Sequence, residues 1–78
     1  MDYMLLADIL MCDFSPETAV KYYEKALACF KKEQDYDAIS LALNRLSSAY
    51  EAMGFTQKSL RYERLSETAR SWSQTADS

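Results

Sequence analysis

Apolar residues recur along the middle of the chain at the three-and-four spacing of a helix. Ala19, Tyr23, Ala26, Leu27 and Phe30 form one stripe, and Ile39, Leu43, Leu46, Ala49, Tyr50 and Met53 form a second. Neither shows the strict alternation of a strand. Ahead of them, Tyr3, Met4, Leu5, Leu6, Ile9, Leu10, Met11 and Cys12 leave only Asp2 and Asp8 to face water, so the first segment is apolar nearly all round. The last segment is thinner. Its Leu60, Leu65, Ala69 and Trp72 are set among Lys58, Arg61, Glu63, Arg64, Glu67 and Arg70, which makes it the most solvated.

Turn chemistry places the boundaries. Ser15 can cap a helix, Pro16 suits its first position, and Glu17 favours its positive end, so a helix starts at Pro16. Lys31 and Lys32 close that helix favourably, and Asp35 can cap the next, which begins near Tyr36. Gly54 can adopt the left-handed conformation that ends a helix, and Thr56 can cap a new one, with Phe55 stapled onto Leu60. The sequence thus predicts an all-α fold of four helices, near 2–13, 16–32, 36–53 and 56–72, joined by connections short enough to force antiparallel hairpins. The residues from Ser73 read as a polar, flexible tail.

Composition narrows this further. With 78 residues, 49% of them hydrophobic, the chain has room for one small core and no second domain. The single Gly and single Pro fit helix nearly throughout. The net charge of -3, with acidic and basic residues interspersed, carries no footprint for nucleic acid. No apolar run reaches the roughly 18 residues of a membrane span, and the opening residues lack the basic start of a secretion signal, so a soluble, cytoplasmic protein is expected. Cys12 and Cys29 stand well apart in the sequence and there is no His, which argues against a metal or redox site and reads as two buried, reduced thiols. No cofactor is implied.

Self-similarity appears at a period of roughly 40 residues, within the range of helix-hairpin repeats. Leu6-Ala7-x-x-Leu10 aligns with Leu46-Ser47-x-x-Tyr50, and Ala19-Val20-x-x-Tyr23 with Ser59-Leu60-x-x-Glu63, giving two hairpins over about 2–32 and 36–72. A large residue, a small neighbour and an aromatic one turn later let paired helices approach closely. Leu46-Ser47-Ser48-Ala49-Tyr50, then Gly54, then Ser59-Leu60, together with Ala19, Tyr23 and Ala26, resemble the tetratricopeptide repeat, in a variety longer than the usual period of about 34 residues. Residues 4 to 69 carry the likeness. Glu63, Ser66 and Leu10 depart from the family pattern, and a HEAT-type hairpin is the alternative. The resemblance implies a short right-handed solenoid of two repeats that binds a protein or peptide partner.

On that reading the first helix of each hairpin lines a groove. Met4, Asp8 and Met11 then stand beside Asn44, Arg45, Ser48 and Glu51 as the expected partner contacts. The methionines offer flexible apolar contact, while Asn44 and Arg45 can hold backbone or carboxylate groups. Met4 and Asp8 occupy places where Lys and Asn would hold a terminal carboxylate, so chaperone-tail recognition is not expected. Glu63, Ser66 and Arg70 are expected to give the last helix a polar outer side that closes the array. The opposite end leaves Tyr3, Leu5 and Ile9 as an interface, to be covered by further repeats, by a partner chain, or by a second copy in a homodimer. Catalysis is not expected. There is no His, Gly-rich phosphate loop or buried carboxylate pair, and Cys29 has only Lys25 and Lys32 as cationic neighbours on its helix.

Overall fold

The computed structural model describes residues 3–76, with side chains described for 3–72. Among them are four helices and no strand: α1 (Tyr3–Cys12), α2 (Pro16–Glu33), α3 (Tyr36–Ala52) and α4 (Thr56–Ala76). Contacts run chiefly between consecutive helices and are most extensive between α3 and α4. The Cα envelope measures 40 × 30 × 15 Å. Its smallest dimension matches two helix layers, whose axes lie about 10 Å apart with a Cα radius of ~2.3 Å on either side. The all-α hairpin architecture is therefore present.

Each of the first three helices is left by the same turn. Phe14, Gln34 and Gly54 recur at even intervals along the chain, and all three have positive φ (59°, 55° and 86°). Behind each of them the chain makes the paired bonds of a Schellman motif. Ser15 N–H donates to Leu10 O while Phe14 N–H donates to Met11 O, and the same pairs recur as Asp35 to Phe30 with Gln34 to Lys31, and Phe55 to Tyr50 with Gly54 to Glu51. The next residue is already the cap of the following helix. Its carbonyl accepts the first helical bond, at Ser15 from Ala19, at Asp35 from Ile39 and at Phe55 from Ser59.

That register revises two of the three expected caps. Asp35 caps α3 as expected, its carboxylate accepting from Ala38 N–H at 3.3 Å. Ser15 sits at the cap of α2, but its side chain makes no capping bond. Thr56 is the first helical residue of α4, and Phe55 holds the cap position in its place. A staple between Phe55 and Leu60 is then one residue out of register, and both side chains are about half exposed. The Phe55 ring meets Tyr50 edge-on at 6.3 Å, and Tyr50 stacks on Tyr62 at 5.2 Å. At the far end, α4 continues through Ala76 in place of a tail from Ser73, since nothing from Ser73 to Ala76 breaks a helix. Asp2, assigned above to the water-facing side of the first helix, and the tail residues Asp77 and Ser78 lie outside the described residues.

The core follows the two sequence stripes. Ala19, Val20, Tyr23, Ala26 and Leu27 of α2 pack with Ile39, Ala42, Leu43, Leu46 and Ala49 of α3, joined by Met4 and Ala7 from α1 and Ala69 from α4. Burial of the two Leu and one Ile of α3 contributes about 1.5–3 kcal/mol each. The α3–α4 seam is held by serines. Ser40 Oγ donates to Ser66 O (3.0 Å) and Ser66 Oγ to Ser40 O (2.9 Å), while Ser47 Oγ donates to Ser59 O (2.8 Å). All four serines are buried, and their small size lets the two backbones come within side-chain-to-carbonyl reach. At the equivalent positions of the first hairpin, Ala7 and Ala19 replace Ser47 and Ser59, both with no exposed surface, so each hairpin uses small residues at the same two places. Ser66 is therefore a seam residue and not part of a polar outer face.

Candidate functional site

Ten residues carry the expectation of a binding surface, and the fold sorts them into three sets. The first set is internal. Met4 is 8% exposed and belongs to the core, Met11 packs partly against it, and the Tyr3 ring stacks on Tyr22 at 6.1 Å with the Lys25 ammonium over both rings. Met4 is thus corrected from groove contact to core residue. Tyr3 is likewise largely engaged within the molecule. The reason is the arc that α1 buries: Tyr3, Met4, Ala7, Leu10 and Met11 follow i, i+3, i+4 and i+7 spacing and meet the rest of the molecule.

The second set joins three helices. Asp8 of α1 accepts a hydrogen bond from the Tyr23 hydroxyl of α2 at 2.5 Å and faces Arg45 Nε of α3 at 3.9 Å. Tyr23 is almost completely buried. Burial, with the adjoining Asp8 carboxylate adding to it, pushes the phenol well above its usual range, so Tyr23 is a neutral donor at physiological pH. Asp8 and Arg45 are brought together as the register implies, but on each other, and the half-exposed pair contributes no more than about 1 kcal/mol. Asn44, Ser48 and Glu51 stand exposed on α3. Asn44 and Arg45 line a polar cleft with Asp37, Ser40, Leu41 and Arg70, about 440 Å³ in volume, between α3 and α4.

The third set is open to solvent. Leu5 and Ile9 are 59% and 52% exposed, one turn apart on α1, with Cys12 exposed on the next turn. Cys29 is exposed as well, so neither thiol is the buried one expected; each lies on the outward side of its helix. Just past α1, Phe14 is 93% exposed in its left-handed conformation, a bulky side chain that neither packs nor suits its backbone. Nothing in the apolar pattern marks Phe14. The signal that finds it is its place in the same regular series as Gln34 and Gly54.

The two ends of the helix stack differ. In α2 the side chains Val20, Tyr23, Leu27 and Phe30 are buried or partly buried; the equivalent places in α4 hold Leu60, Glu63, Glu67 and Arg70, all exposed. Among the described residues no group of three or more His, Cys, Asp or Glu is placed to hold a metal ion, and no helix is long and apolar enough to cross a membrane. Comparison with family models, with curated proteins and with solved structures gave no match.

Proposed function

We propose that this chain is a non-enzymatic, tetratricopeptide-like interaction module that works by docking a partner protein on the outer face of α1. One observation carries the reading. Ile9 occupies in α1 the place that Ala49 occupies in α3, and Ala49 has no exposed surface whereas Ile9 is 52% exposed. With Leu5 one turn before it, Ile9 gives α1 an outward face of two large, half-exposed apolar side chains. The exposed polar residues Asn44, Ser48 and Glu51 on α3, with the Asp8–Arg45 pair beside them, would supply the rim of the same surface. A cytoplasmic setting suits two exposed, unpaired thiols.

The second reading is self-assembly, in which α1 of another copy covers Leu5 and Ile9; the same exposed pair on every copy favours it, because a two-fold contact needs only a self-complementary patch. Leu5→Asp with Ile9→Asp tests the docking face. Compared with the parent chain at concentrations where that chain is monomeric, the double variant is expected to match its helicity and its stability within about 0.5 kcal/mol, as surface substitutions do, and to lose any association of the chain with itself or a partner. A variant less stable than the parent monomer would make this face part of the core and overturn the proposal.

A further inference from the structure

A second surface lies away from the outer face of α1. A groove of about 330 Å³ runs between α2 and α4, with Ile39 and Leu43 of α3 in its floor, Leu65, Ala69 and Trp72 along α4, and Lys31 at its α2 edge. Tyr36 closes one end, its ring edge-on to Trp72 at 6.0 Å. A second depression continues along α4 past Leu65 and Thr68 to Leu60, Arg61 and Arg64. Leu60, Leu65 and Trp72 are 52%, 45% and 59% exposed, so α4 shows water three large apolar side chains over little more than three turns.

The charged residues that line this strip have one sign. Lys31, Arg61 and Arg64 line it, neither lining includes a carboxylate, and none of the three cations has an ion-pair partner among the described residues. The volume lies at the lower end of the ~300–1,000 Å³ of ligand pockets, which suits one or two side chains better than a cofactor. We propose that the α2–α4 groove and the adjoining face of α4 bind an acidic, apolar segment of a partner protein. Its large apolar side chain enters between Leu65, Ile39 and Trp72, and its carboxylates meet Lys31, Arg61 and Arg64. This chain's own exposed helix does not fit the role: the only charge within α1, Asp8, is already held by Tyr23 and Arg45.

Trp72 is the sole tryptophan and lines the groove, so its emission reports occupancy directly. The probe is a tryptophan-free synthetic peptide with Leu and Phe at helical spacing and Glu between them, set against the same peptide with Lys for Glu. The expected result is a saturable blue shift with the Glu peptide, weakened by salt and absent with the Lys peptide. Arg61→Glu with Arg64→Glu, both on the exposed face, should keep full helicity and bind the Glu peptide at least about tenfold more weakly, since removing complementary charge at a rim slows association. Leu5→Asp with Ile9→Asp should leave this titration unchanged, which separates it from the α1 face. No saturable shift, equal shifts with both peptides, or undiminished binding by the Arg double variant would each overturn the proposal. So would emission that moves to the red on dilution of the chain alone while its helicity holds, which would assign the groove to a second copy.

Discussion

Phe14, Gln34 and Gly54 perform one task with three different residues. Each must hold positive φ so that two amides can turn back onto the end of the helix just finished. Glycine does this without strain, whereas a side chain in the left-handed region costs on the order of 1–3 kcal/mol. Phe14→Gly and Gln34→Gly should therefore each stabilise the fold by about 0.5–1 kcal/mol, after allowing for the extra freedom glycine gives the unfolded chain. Gly54→Ala should destabilise it by about 1 kcal/mol through the backbone alone, because a Cβ there would meet nothing within 4 Å. Urea denaturation of the three variants checks all three signs. Tyr23 makes a different test. Because its folded pKa is raised, its contribution is present in full below the ordinary tyrosine value near 10 and is lost as pH climbs beyond it. Tyr23→Phe should remove about 1–3 kcal/mol at neutral pH by taking the donor from Asp8, and should flatten the decline of stability above about pH 10.

Between helices, the serine seam is the part that the pattern of apolar and polar positions describes worst. A serine pointing inward to a facing carbonyl and one pointing to water look alike in a sequence, so Ser66 reads as outer polar surface although it is 4% exposed. In a double-mutant cycle, Ser40→Ala or Ser66→Ala alone should cost about 1 kcal/mol, since each removes one buried hydroxyl-to-carbonyl bond together with the contact between the two hydroxyls at 3.1 Å. The pair together should cost less than the sum of the two, because that shared contact is lost only once. Additive losses would show that the two hydroxyls act separately. The helices themselves are legible because Pro16, Asp35 and Gly54 punctuate stripes of the right period. The turn before Pro16 is legible in the same way, but the positive φ of Phe14 is not, because Phe has no preference for that conformation. In α1 the difficulty is one of contrast: with nearly every position apolar, the sequence does not say that Met4 turns inward.

Taken whole, the molecule is a thin stack with unlike ends. The α1 end keeps Ile9 where the interior of the stack buries Ala49, and the α4 end replaces Tyr23, Leu27 and Phe30 by Glu63, Glu67 and Arg70. On the proposed repeat reading, two hairpins are also fewer than the three repeats usually needed for stability. A surface that covers α1 would supply what the chain lacks, and this is the claim on which the proposed function stands. The most direct measurement is mass by light scattering of the purified 9.0 kDa chain, with helicity by circular dichroism recorded at each dilution. Over a concentration range of roughly a hundredfold, mass action should then raise the mass to a dimer at the top or remove helicity at the bottom. A constant monomer mass with full helicity across the range would contradict the claim, because α1 would then be satisfied within the single chain.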